Sequence, residues 1–273
     1  FPTAHPQNAY IARDADEVTA AVNRFVDQGA SAIKVYYRLP LSLIRATAAA
    51  AHSRGVPVTA HLELVDANLA IEAGLDGIEH VTSLGTALLP GPVAEKFRQS
   101  VMADNAARTE GRPGLWSKIE PAGPEADALI DLMVKRGTFL CPTLGVFERR
   151  PSGPPHTETY LAGFENMKAF VGRAARAGVK TVTGSHTPLA HMPEKGWDYQ
   201  HEMALLVASG LSPMQVIVAS TSECARFLGI DRRLGTVEVG KEADLLLVAG
   251  DPQADISAMR AVKHVVLNGR VIE

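Results

Sequence analysis

The 273-residue chain is poor in cysteine and in net charge, and each shortage removes a class of explanation. Cys141 and Cys224 are its only cysteines, far apart and outside any Cys-x-x-Cys, so neither a disulfide framework nor a cysteine zinc site is indicated. A reducing compartment is compatible with that usage, and the cytoplasm is the favoured setting. The net charge of -3, with no Lys/Arg-rich run, offers no field for nucleic acid. No stretch reaches the roughly 18 consecutive apolar residues of a membrane span, and no charged-then-apolar leader opens the chain. The chain opens at Phe1 rather than Met, which points to a start other than the native translation start. Small molecules, uncharged or of mixed charge, are the partners that remain.

What is present is a regular beat of apolar runs and amphipathic helices. A helix is expected from Asp14 to Gly29, with Asp14 and Glu17 as cap partners and an apolar stripe through Val18, Ala21, Val22, Phe25 and Val26. Strands are expected at Ala32 to Tyr36, Val56 to Ala60 and Gly77 to His80, separated by helices that end at Gly55 and Gly74. The beat then breaks. Residues 84–123 are a long, mixed-charge and Pro/Gly-rich connection, read as an insertion forming a lid or substrate wall, with Lys96, Arg98, Arg108, Arg112 and Trp116 as wall residues. It resumes with a helix from Pro124 to Arg136, a strand to Cys141, a helix from Glu158 to Ala177 and a fifth strand, Val179 to Thr183. Two helices follow, Asp198 to Ser209 and Pro213 to Leu228, the second opened by Ser212, Pro213 and Gln215 as a capping box. From Leu234 the pattern changes to short β-like runs, GTVEVG among them, with an Asn268-Gly269 hairpin signal.

Near-continuous apolar runs are the mark of parallel strands buried on both faces, which makes this an α/β chain of the (β/α)8 type. The domain reading is 1–230 for the barrel portion and 231–273 for a C-terminal group of strands too few to bury a core alone. Five strand-helix units are present where a closed barrel has eight. The three absent strands would come from an N-terminal segment or from a second copy in a homo-oligomer.

In such barrels the C-terminal strand ends carry the chemistry. Lys34, His61, His80 and His186 fall there. Neutral imidazoles are the commonest zinc ligands, so His61 and His80 on neighbouring strands point to a shared metal ion. Each alone reads as an ordinary structural histidine. His186, in the run Thr183-Gly184-Ser185-His186-Thr187-Pro188, is a third ligand, a general base or a plain loop residue. Lys34 is a salt-bridged lysine, a Schiff-base nucleophile or a carboxylated, anionic lysine. His191 and His201 are weaker candidates, His52 a structural residue, and Thr143 a substrate hydrogen-bonding group. Cys141 lacks an adjacent base and reads as a small buried residue. Glu79 and Glu63 point away from the histidines by alternation or fall in the following loop, so they stand behind ligands or at the surface.

The stretches SAIKVYY, AHSRGVPVTAHLE, AGLDGIEHVTSL, FLCPTL, TVTGSHTP, ASTSECARFLGIDRRLGTVEVGKEADLLLVAGDP and VVLNGRVI, in this order and spacing, closely resemble the amidohydrolase superfamily, in its imidazolonepropionase and prolidase-like branch. The resemblance implies a metal-dependent hydrolase of amide, cyclic-amide or ester bonds on a (β/α)8 barrel with a small β-sandwich, acting on small amides, dipeptides or esters. It implies that Lys34 is the carboxylated lysine bridging two metals, that His61 and His80 bind one of them, and that residues 234–273 are sandwich strands. Two departures stand out. No His-x-His pair, the family's signature on the first strand, occurs anywhere in the sequence, and the aspartate at the end of the last strand is replaced by His186. The expected cofactor is therefore zinc, one ion or two, with the second site in doubt. The leading expectation is a hydrolase with His186 as substitute base. The competing ones are a catalytically silent remnant acting by binding or assembly, and an aldolase-like Schiff-base enzyme using Lys34.

Overall fold

Asp14 ends an extended segment and starts the first helix. Its carboxylate accepts the Glu17 backbone N–H at 2.8 Å, while the Glu17 carboxylate reaches back to the N–H of Arg13 at 2.9 Å, so donors that the helix leaves orphaned are satisfied. In the computed structural model, which describes residues 9–148, 157–186 and 196–272, this helix, α1 (Ala15–Asp27), buries Val18, Ala21 and Val22. Strand and helix then alternate as β1 (Ile33–Val35), α2 (Leu41–Ser53), β2 (Val58–His61), α3 (Ala67–Glu72) and β3 (Gly77–Glu79). After an insertion come α7 (Pro124–Arg136), β4 (Phe139–Cys141), α8 (Glu158–Arg176) and β5 (Lys180–Thr181). The insertion itself is helical, as α4 (Gly85–Leu88), α5 (Pro92–Ala103) and α6 (Ala107–Trp116).

The strands form one parallel sheet in sequential order, β1 to β5. Alternation sorts its two faces. Ile33, Val35, Val58, Ala60, Ile78 and Leu140 join Val18, Ile44, Ile71 and Met133 of the helices in a single core. On the other face the register puts Lys34 beside Thr59, and His61 beside Glu79, which lies beside Cys141. That second face is the polar one, and its upper end carries the candidate chemistry.

Three expectations need correction. The connection 84–123 is not irregular: α6 contains Gly111, Pro113 and Gly114, poor helix formers that conceal it. Its helix is imposed by packing against α8, where Gly163 lies so close to the Pro113 carbonyl that an added Cβ would sit at 2.9 Å. The expected helix from Pro213 to Leu228 is two, α10 (Pro213–Ser220) and α11 (Ser222–Phe227), broken at Thr221 with φ -132° and ψ -86°. The capping box of Ser212 and Gln215 is formed. The run 235–240 makes no strand, and Val237 and Val239 stand 85% and 107% exposed.

After α9 (Asp198–Ala208), α10 and α11, the chain ends in an antiparallel sheet of β6 (Leu245–Val248), β7 (Val262–Leu267) and β8 (Arg270–Val271). Asn268 and Gly269 close its hairpin with φ of 50° and 75°, the two positive values that a type I′ turn requires. This sheet is tied to the rest through Ile256, which enters the main core from the short 3-10 turn Ile256–Arg260. Among the described residues no helix is long and apolar enough to cross a membrane.

The α8–α9 contact yields a stability test. A Cβ on Gly172 would lie 1.7 Å from the Ser209 carbonyl oxygen, a backbone atom that cannot swing aside. Gly172→Ala should destabilise the protein by about 2 kcal/mol, overpacking outweighing the ~1 kcal/mol gained in helix propensity. The measurement is the urea midpoint, which should fall with the m-value unchanged.

Candidate active site

β2 ends at His61, His80 follows β3 directly, and His186 lies in the loop after β5. The structure brings the three rings together: the centroids of His61 and His80 are 4.6 Å apart, and those of His80 and His186 are 4.9 Å apart. His80, Thr143 and His186 have φ of 66°, 49° and 56°, a left-handed backbone that costs energy in non-glycine residues. The surrounding bonds hold it in place. His80 N–H donates to Cys141 O at 2.8 Å, Val81 N–H to Pro142 O at 2.9 Å, and the Thr143 hydroxyl meets His80 Nδ1 at 2.6 Å.

The loop that carries Thr143 is fixed from the other side. Glu202 of α9 accepts the backbone N–H groups of Leu144 and Gly145, one on each oxygen, both at 2.8 Å. Burial pushes this carboxyl up to about 7, against the pull of those two N–H groups.

Burial also lowers the pKa of all three histidines, His61 and His80 most of all, and nearby charge adds to it. Arg112, Arg108 and Lys34 act on His61, and Lys34 acts on His80 and His186. The three rings are therefore neutral at pH 7, the form that can donate a lone pair. Lys34 is an exposed side chain on the same sheet face as His61.

His61 is held by a buried ion pair. Its Nε2 lies 2.9 Å from Glu63 Oε1 and 2.9 Å from an Arg112 nitrogen, and Arg112 donates to the same Glu63 oxygen from Nε at 2.8 Å and again from its terminal nitrogen. Glu63 is buried, and burial raises its pKa while Arg112 pulls it back down. Glu63 thus stands behind His61 and not at the surface, the two places its position in the sequence left open. Glu79 shares the sheet face of His61, where Thr59 donates to it at 3.3 Å.

Of the wall residues, Arg108 and Arg112 turn into the site. Arg98 pairs with Asp66 and Glu95, Lys96 is exposed, and Trp116 belongs to the core. Thr143 serves His80. Burial, then Glu79 and Glu202, pushes the Cys141 thiol well above its ordinary value, so it is no nucleophile. His52 links α2 to Asp76 at 2.8 Å and His201 meets Glu148 at 2.6 Å. Thr187, Pro188 and His191 lie outside the described residues. Sequence reasoning missed Glu202 altogether, and no local signal marks it.

The histidines offer a divalent ion two nitrogen donors, one fewer than the three protein ligands of an ordinary catalytic zinc site. With Nε2 of His61 and Nδ1 of His80 already engaged, His61 Nδ1 and His80 Nε2 are the nitrogens left for a ligand. Among the described residues no group of three or more His, Cys, Asp or Glu is arranged to hold a metal.

The profile of the Amidohydrolase family matches residues 9–272. No curated protein matches the chain. Among solved structures, a Xaa-Pro dipeptidase with bound methionine in its active site is 24% identical at a TM-score of 0.68, the match covering 99% of this chain and 64% of that one. The ochratoxinase of A. niger is 20% identical at a TM-score of 0.70, with coverage of 96% and 55%. Phenylurea hydrolase B is 21% identical at 0.66, with coverage of 96% and 57%. The chain thus spans 55% to 64% of the length of these solved relatives.

Two measurements follow from the site's buried charges. Arg112→Ala strands Glu63 without its partner, and unfolding in urea should show a loss of about 3 kcal/mol. The double variant with Glu63→Gln should lose less than the two single losses added, because no uncompensated charge remains. Glu202 has a folded pKa of about 7 against an ordinary 4.5, so the folded state holds the proton more tightly. Its contribution is fully present below the ordinary value and is lost as pH rises through 7. Stability relative to Glu202→Gln should therefore fall by roughly 3 kcal/mol between pH 4.5 and 8, read from urea midpoints across that range.

Proposed function

The chain belongs to the amidohydrolase family, and on that premise we propose that it hydrolyses amide bonds of small molecules with the help of a divalent ion, zinc foremost, held at His61 and His80. The observation that carries this reading is the pair of buried, neutral imidazoles 4.6 Å apart, each already hydrogen-bonded through the ring nitrogen that a ligand would not use. In the same reading the five parallel strands are the later part of a (β/α)8 barrel within residues 1–230, and 231–273 are part of a β-sandwich domain. The coverage of the solved relatives supports this. The three remaining barrel strands come from an N-terminal segment or from a second copy.

A divalent ion at this position supplies Lewis-acid polarisation of a carbonyl and makes water nucleophilic at neutral pH. The chain's own residues do the rest. Glu63 and Arg112 fix the orientation of His61, and Thr143 fixes that of His80. Lys34, in a carboxylated form, adds an anionic donor from the neighbouring strand. His186, neutral and half-buried beside His80, accepts the proton of the attacking water and returns it to the leaving amine. Dipeptides and related amides or esters are the substrate class, by analogy with the dipeptidase relative.

A second reading, a silent remnant that acts by binding or assembly, is favoured by one observation: no described group supplies three His, Cys, Asp or Glu donors, and the His-x-His pair is absent. Metal analysis separates the two. The purified protein should carry zinc, and His61→Ala or His80→Ala should each abolish it. His186→Gln should retain the metal while kcat falls by about 100-fold or more, the contribution of a general base. A metal-free protein, unchanged by the alanine substitutions, would establish the second reading.

A further inference from the structure

The mouth of the site contains a cation that forms no ion pair among the described residues. Arg112 is matched by Glu63. Arg108, one turn earlier on α6, has no carboxylate partner among the described residues, and its Nε is buried without any hydrogen bond. Its guanidinium is nonetheless held in a defined pose. It donates to the Tyr36 hydroxyl at 3.0 Å and lies over the Tyr37 ring at 4.7 Å from the centroid. Tyr37 is itself fixed, fully buried and donating to Asn105 at 2.6 Å. A planar fork stacked on an aromatic ring, with one donor still unpaired, matches the chemistry of a carboxylate, and stacking lowers the entropic cost of capturing one. The subsite adjoins the reaction centre, for the Tyr36 and Tyr37 rings lie 5.1 and 5.8 Å from the ring of His61.

We propose that Arg108, braced by Tyr36 and Tyr37, is the residue that binds a carboxylate on the substrate, so that the preferred substrates are short amides whose acid group lies a few bonds from the scissile carbonyl. The identification of the anion as part of a substrate rests on the amide-hydrolase reading; the anion site itself does not. Arg108 and Arg112 both act on Glu63, and its ion pair is with Arg112. The placement also gives the inserted helices a purpose, since α6 brings specificity to strand ends that hold the chemistry.

The test uses equilibrium binding, so it remains informative if no hydrolysis occurs. The probes are hippurate, an N-acyl amino acid, and hippuramide, the same skeleton without the charge. Isothermal titration should show that the protein binds hippurate at least about tenfold more tightly than hippuramide, the worth of one charge-assisted hydrogen bond. Arg108→Gln should abolish that preference while leaving hippuramide binding unchanged, and Arg108→Lys should restore part of it. Equal binding of the two probes by the unaltered protein, or a hippurate preference that survives Arg108→Gln, overturns the proposal. Loss of hydrolysis with the hippurate preference intact would instead sink the amide-hydrolase reading alone.

Discussion

The site depends on one buried ion pair. Glu63 and Arg112 come from elements 49 residues apart, the loop after β2 and the inserted helix α6, and they meet where neither is well hydrated. The isolated cost of burying each charge is several kcal/mol, so neither residue would occupy this position without the other. Their meeting does two things at once. It docks α6 on the rim of the sheet, and it places a hydrogen-bonding pair against Nε2 of His61. A histidine whose second nitrogen is so engaged has a fixed ring orientation. The inserted segment is thereby part of the apparatus that sets the first candidate ligand.

A similar arrangement secures the second. His80 and Thr143 are held in left-handed backbone and bonded to each other, and His186 has the same unusual conformation. Three such residues on three adjacent strand ends require an external constraint, which the structure supplies through the backbone bonds from β4 and through Glu202 beneath the Thr143 loop. Glu202 is a positioning residue: it touches neither imidazole, and its carboxylate sets the loop that sets His80. Strain at one end of a rigid sheet, with satisfied bonds around it, is the form in which a scaffold stores a preorganised site.

What could be read in advance follows from the range over which each cause acts. The sheet was legible because parallel strands bury both faces and leave apolar runs that end in a polar group, so Lys34, His61 and His80 could be placed by local pattern alone. The caps at Asp14 and Ser212 were legible for the same reason, since their partners lie three residues away. Helix α6 was not, because Gly111, Pro113 and Gly114 argue against a helix and only the packing of Trp116 and the close approach of Gly163 overrule them. Nor was the coupling of Arg112 to His61 or of Glu202 to Gly145, which join residues 51 and 57 positions apart. The run 235–240 misled in the opposite direction: its alternation suits a strand, yet among the described residues nothing pairs with it.

The electrostatics of the mouth connect these pieces. Desolvation drives the histidines neutral, which suits them to donate lone pairs, and the cations of α6 add to that drive instead of opposing it. Such an array of positive charge beside neutral imidazoles is costly, because Arg108 has no carboxylate ion-pair partner among the described residues. A carboxylate from outside would relieve that cost and would place its bearer against the His61–His80 pair. The demand for a counter-ion is thus built into the resting site, on the same helix whose neighbouring arginine holds His61 in place.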